Sequence, residues 1–180
     1  MKKKIASWVL TIMYSLSIAT NVYANEVTYW GINAQKEIDE KNSVLLPAEI
    51  TFSMDSMPEN RGRYIANSSV SISNEGYGVL GVYAHTLAYV PVEKIKMTIY
   101  IDQWDENEED WIQVDSKELT YEYKEGEEDL HAVSESFLVE NLETDKYYRL
   151  RGLHAVWSFD GYVESHGTMT DGILLTDGPA

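Results

Sequence analysis

Lys94-Ile95-Lys96-Met97-Thr98-Ile99-Tyr100-Ile101 is the stretch that decides the fold. Four apolar side chains alternate with Lys94, Lys96, Thr98 and Tyr100. Successive side chains of a strand point to opposite faces, so this period of two marks a strand buried on one side only. The acidic run 105–110 then turns the chain. Residues 111–115 return, with Ile112 and Val114 expected inside and Gln113 and Asp115 outside; 119–123 continue that ribbon or begin the next.

The same period extends both ways. Upstream, 64–73 contain Val70-Ser71-Ile72 before the turn Asn74-Glu75-Gly76. Leu80, Val82, Ala84 and Ala88 then share one parity, and Tyr83, His85 and Tyr89 the other. Downstream, 133–139, 147–158 and 162–169 complete the series, with Asp160-Gly161 as a tight hairpin signal between the last two. No segment keeps a convincing 3.6 period. Seven or eight short strands with turn signals between them predict an all-β fold, a single antiparallel β-sandwich. Its inner faces are expected to hold Leu80, Val82, Ile95, Met97, Ile99, Ile112, Val114, Phe137, Val139, Leu150 and Val156.

Leu142-Glu-Thr-Asp-Lys-Tyr-Tyr148 places a Leu six residues before a Tyr at the start of a strand. That spacing resembles the tyrosine corner of immunoglobulin-like and fibronectin type III sandwiches. The likeness puts Tyr148, Leu150, Gly152 and Val156 inside, and Tyr147, Arg149 and Arg151 outside. The Pro-Gly usual before that Tyr, an early buried Trp and a Cys pair are absent from the sequence. More widely, Arg61-Gly-Arg-Tyr-Ile65, Thr98-Ile-Tyr-Ile101 leading to Trp111-Ile-Gln-Val114, Tyr147-Tyr-Arg-Leu-Arg-Gly-Leu-His-Ala155, Glu164-Ser165 and Thr170-Asp-Gly-Ile173 resemble a family of small proteins secreted by Gram-positive bacteria. Over 61–175 the resemblance implies an exported immunoglobulin-like sandwich of unknown function, and it carries no catalytic residues with it.

The first 24 residues read as a signal peptide: Lys2, Lys3 and Lys4, an apolar stretch over 5–19, then Val22-Tyr23-Ala24. The apolar stretch falls short of the ~20 residues that a bilayer span needs. Residues 25–60 are a lead-in with a strand expected over 48–54 and a helical turn over 35–41. Residues 61–176 form the sandwich, and 177–180 a tail. The expected destination is outside the cell, with no membrane span after the signal is removed. The leader's three lysines, taken from 14 basic residues, leave 11 against 30 acids, a charge of −19. Such a charge excludes ordinary nucleic-acid binding, which rests on cations that neutralise phosphates. With no cysteine in the chain, disulfides and thiol chemistry are excluded as well.

Catalysis finds little footing. No Gly-x-Ser-x-Gly elbow occurs, and nothing in the sequence joins a Ser to one of the four histidines and a carboxylate. An EF-hand loop starting at Asp105 would need Gly at its sixth place and Glu at its twelfth, where Asp110 and Ser116 stand. His154, Glu164 and His166 fall on neighbouring strands, short of a zinc set by spacing alone. No catalytic residue, metal or cofactor is expected. The expected binding face carries Tyr100, Tyr147, Arg149, Arg151 and Trp157 on outer parities. Its arginines suit a carboxylate or phosphate, or else pair with acids across strands and stack on Tyr100 or Tyr147. The reading is therefore a non-catalytic module that binds an extracellular surface, polymer or protein. Three alternatives stand beside it. One is a carbohydrate-binding module with exposed, coplanar Trp104 and Trp111. Another is a secreted hydrolase with a His and a carboxylate in a pocket. The third is a structural protein with open edge strands.

Overall fold

The structure, a computed structural model, describes residues 31–57 and 62–179. The expected signal peptide at 1–24 lies outside the described residues.

A short helix, α1 (Ile32–Asp39), precedes nine strands. These are β1 (Phe52–Ser56), β2 (Ile65–Gly76), β3 (Val79–Ala88), β4 (Lys94–Asp105), β5 (Asp110–Glu122), β6 (Ala132–Val139), β7 (Lys146–Trp157), β8 (Val163–Met169) and β9 (Ile173–Leu175). All pair antiparallel. One sheet runs β1-β2-β3-β6, the other β5-β4-β7-β8, and β9 pairs with the start of β7. The all-β sandwich read from the alternation is the observed fold. Setting β1 and β9 aside, the order is the immunoglobulin one: β2, β3 and β6 take the places of strands A, B and E, and β4, β7 and β8 those of C, F and G. β5 pairs with β4 as an extra strand on that second sheet.

The core lies between the sheets. Ile65, Val70, Ile72, Leu80 and Ala84 face Ile95, Met97, Ile99, Leu150 and Val156, all buried. Tyr148 is fully buried at the start of β7, and its hydroxyl donates to the Glu143 backbone carbonyl at 3.0 Å. Desolvation there pushes the phenol up to about 12, because burial penalises the phenolate.

Two residues depart from the expected core. Ile112 and Val114 are 48% and 44% exposed. A register shift in the β4–β5 ladder falls between Ile101 and Asp102, whose partners are Asp115 and Gln113, so Val114 is an unpaired extra residue that breaks the alternation. β5 is also an edge strand, and its groove with β6 brings residues 115–117 beside 137–141. Ile112 therefore lies beyond the end of β6, with no opposing sheet to cover it.

The lead-in belongs to the sandwich. A turn closed by Ile50 N–H on the Pro47 carbonyl holds the chain back, so the strand begins at Phe52. α1 buries Ala34 and Ile38, four apart and hence on one face, against Leu153 and Met169. Gly167 allows this closeness: a Cβ there would lie 2.1 Å from the Ala34 carbonyl oxygen. The seam between edge strands β1 and β8 is sealed by side chains. Gly167 N–H donates to Glu37 at 2.9 Å, Met169 N–H to Asp55 at 2.8 Å and Asp171 N–H to Ser53 Oγ at 3.0 Å. Among the described residues no helix is long and apolar enough to cross a membrane.

Candidate functional site

The outer face of the β5-β4-β7-β8 sheet carries the residues expected to bind. Tyr100, Asp102, Arg149 and Arg151 share it, since Tyr100 pairs with Arg151 and Asp102 with Arg149. Asp102 is 1% exposed. Arg149 Nε reaches its Oδ2 at 3.1 Å, and Arg151 grips both oxygens, Nε at 2.6 Å and Nη2 at 2.8 Å. The Arg149 guanidinium lies 4.5 Å over Trp111 and that of Arg151 4.9 Å over Tyr100. Burial pulls Arg149 below its ordinary pKa, against the opposing pull of Asp102. A desolvated carboxylate is thus held by two cations, and the cations by rings beneath them. This is the cross-strand pairing and stacking reading of the arginines.

The other two residues stand apart. Tyr147 is half-buried beside β9, opposite Leu174. Trp157 lies six residues beyond Arg151, about 20 Å along the strand, with α1 packed over Leu153 between them. Lys94 sits 4.5 Å over its ring. Nor do Trp104 and Trp111 form a flat platform: their rings meet edge-on at 67° and 5.3 Å.

The histidines and acids are separated as well. His154 is fully buried in the core, with Nδ1 at 2.8 Å from Thr86 Oγ1 and Nε2 at 3.0 Å from Thr168 Oγ1. Desolvation takes it down to about 3. Glu164 accepts the backbone N–H groups of Arg63, Tyr64 and Ile65. His166 pairs with Glu37 of α1. Among the described residues no three His, Cys, Asp or Glu side chains converge to hold a metal ion. In the acidic turn Asp105 caps the N–H groups of Asn107 and Glu108. Those hydrogen bonds hold its carboxyl below the usual range.

The opposite face, outside the β1-β2-β3-β6 sheet, is of another kind. Its rows across the strands read Phe52-Ser73-Gly81-Leu138, Met54-Ser71-Tyr83-Ser136, Ser56-Ser69-His85-Ser134 and Asn67-Leu87-Ala132. None of these 15 positions is charged, whereas 24% of the chain is; random placement would give about three or four. Serines fill the middle, and exposed Phe52, Met54 and Leu138 form rails on either side. Tyr83 and His85 stack with planes 6° apart, and Ser134 Oγ bonds both, at 3.3 and 2.8 Å. A hollow of about 360 Å³ opens between Ser71, Ser73, Gly81, Tyr83 and Leu138, with Glu75 at its rim.

Sequence reasoning passed over this face. The signal was present in Ser69, Ser71 and Ser73, spaced by two around buried Val70 and Ile72. That Ser134, Ser136 and Gly81 would join them depended on the strand order.

No family model matches the chain, and no curated protein matches it. Among solved structures, the chain resembles Spo0M, a sporulation control protein from Bacillus subtilis, at 9% identity and a TM-score of 0.32. The match covers 71% of this chain and 50% of the other, so this chain spans about half the length of the structure it matches.

Proposed function

We propose that the protein is a secreted, non-catalytic β-sandwich that binds an extracellular polymer through the outer face of the β1-β2-β3-β6 sheet. The observation that carries this reading is that none of the 15 paired outward positions of that face is charged, Glu75 at its rim apart, in a chain of net charge −16. A solvated face of so acidic a protein would ordinarily carry its share of carboxylates. Serine hydroxyls flanked by exposed apolar rails instead provide both hydrogen-bonding and apolar contact along a flat strip. The arginine face suits an anion less well, because Asp102 already takes three guanidinium N–H groups.

The test is co-sedimentation with cell-wall and extracellular polysaccharide fractions. Ser136 is exposed on β6, so Ser136→Glu adds a charge to the strip without disturbing the core. The unchanged protein is expected in the pellet and Ser136→Glu in the supernatant, while Tyr147→Ala, on the other face, pellets normally. Equal retention of Ser136→Glu would remove the reading.

A protein partner is a second reading, favoured by one cluster at the loop end of the sandwich. Tyr64 and Tyr162 stack at 5.5 Å, Arg63 lies over both, and Phe159 meets Tyr123 edge-on at 5.3 Å. Tyr and Arg are the side chains enriched where binding energy concentrates in protein interfaces. Retention lost in Tyr162→Ala but kept in Ser136→Glu would favour it.

A further inference from the structure

The hollow over Gly81 has a more definite chemistry than the strip around it. We infer that it is a subsite for one neutral pyranose ring of a polysaccharide, with Glu75 accepting hydrogen bonds from the ring's hydroxyls and Tyr83 packing against its C–H face. The inference rests on the sheet-face reading and names the ligand class for that surface.

Gly81 lets polar groups form the floor. A Cβ built there would lie 2.4 Å from Ser73 Oγ and 2.6 Å from Glu75 Oε1, so these two polar groups stand directly over the bare backbone. Ser73 donates to Glu75 at 2.5 Å and fixes the carboxylate at the rim. One hydroxyl does not saturate a carboxylate, which offers about four acceptor sites. The remainder match two neighbouring hydroxyls of a sugar. Tyr83 is one wall. His85 stacks on it from the strand side away from Gly81, leaving the ring face toward the hollow for a ligand. Leu138, 60% exposed and paired with Gly81 on β6, lines another side. Ser71 supplies a further hydroxyl. A pyranose presents the matching pattern: an apolar face of C–H groups and an edge of hydroxyl donors. At about 360 Å³ the hollow lies in the roughly 300–1,000 Å³ range of small-ligand sites. Charge narrows the class further. With Glu75 as the rim charge and −16 overall, anionic polymers are repelled, and neutral glycans are not.

The experiment titrates ¹⁵N-labelled protein with cellotriose, mannotriose and chitotriose, following amide shifts at millimolar sugar, where single-subsite binding is measured. At least one trisaccharide is expected to move the amides of residues 73–83. Gly81→Ala pushes the ends of Ser73 and Glu75 off the floor of the hollow without meeting backbone, so the fold is kept. It should weaken that binding by about ten-fold or more. Glu75→Gln should weaken it by about five-fold, since charge-assisted hydrogen bonds are roughly twice as strong as neutral ones. The inference is overturned if none of the three sugars moves those amides, or if Gly81→Ala binds as tightly as the unchanged protein. Polymer retention lost in Ser136→Glu but intact in Gly81→Ala would sink the subsite and leave the face. Retention intact in both would sink the face as well.

Discussion

A histidine in a dry core should set how this protein responds to acid. His154 has no exposed surface and is held between Thr86 and Thr168. Thr168 Oγ1 also lies 3.4 Å from the Gly152 carbonyl and donates to it. Its oxygen therefore accepts from His154 Nε2–H, and Nδ1 accepts from the Thr86 hydroxyl. The arrangement needs the neutral ring, in agreement with a pKa lowered to about 3, first by burial. The unfolded chain takes a proton near 6.5, so between about 6.5 and 3 it binds more protons than the folded one. The stability contributed by His154 is complete above 6.5 and falls as the pH drops. From pH 7 to pH 5 the linkage gives a loss of about 2 kcal/mol, and from pH 7 to pH 4 about 3 kcal/mol. The assay is urea denaturation at pH 7, 6 and 5 for the protein and for His154→Gln, which keeps hydrogen-bonding groups but does not titrate. The unchanged protein should lose about 2 kcal/mol more than the variant over that range. Parallel pH profiles, or a His154 ring that titrates near 6.5 in the folded protein by NMR, would refute the argument.

Three further outcomes follow from the packing. Asp102→Asn leaves two largely buried arginines without their shared anion and should cost about 3–5 kcal/mol in chemical denaturation; a cost under ~1 kcal/mol would mean that solvent screens the cluster. Tyr148→Phe should lower stability by ~1 kcal/mol through loss of the hydrogen bond to the Glu143 carbonyl, and an unchanged midpoint would count against the tyrosine corner. Ile99→Ala should cost roughly 2–5 kcal/mol as a core truncation, whereas Ile112→Ala should stay within about 0.5 kcal/mol; equal costs would contradict the placing of Ile112 beyond the end of β6, where no sheet covers it.

The contrast between Ile99 and Ile112 also marks where the sequence was legible. Alternation over 94–101 assigns faces correctly because both neighbours of β4 are regular there. The same alternation fails over 111–115 because one unpaired residue flips the parity, and a bulge leaves no mark in a hydropathy pattern. Tyr148 was legible because its spacing from Leu142 is local. Asp102 was missed as the partner of the arginines, although it faces Arg149 across one ladder; parity alone makes it one more outward acid among 30. α1 was read only as a charged turn, since its two buried contacts, Ala34 and Ile38, are too few for a clear period. The hollow over Gly81 draws on the β2–β3 hairpin and on β6, which joins β3 only after the chain has passed through β4 and β5, and that adjacency belongs to the sheet order.

The sealed seam between β1 and β8 bears on how this chain survives among proteases. Three backbone N–H groups near β8 are occupied by Glu37, Asp55 and Ser53, all from residues before 57. A cut in the stretch after β1 that releases those residues would uncover the edges of β2 and β8 together, one from each sheet. Bare strand edges recruit other strands. Such a clipped product would keep most of its core yet gain two adjoining templates for self-assembly, so a single nick would turn a protected domain into a building block for fibres.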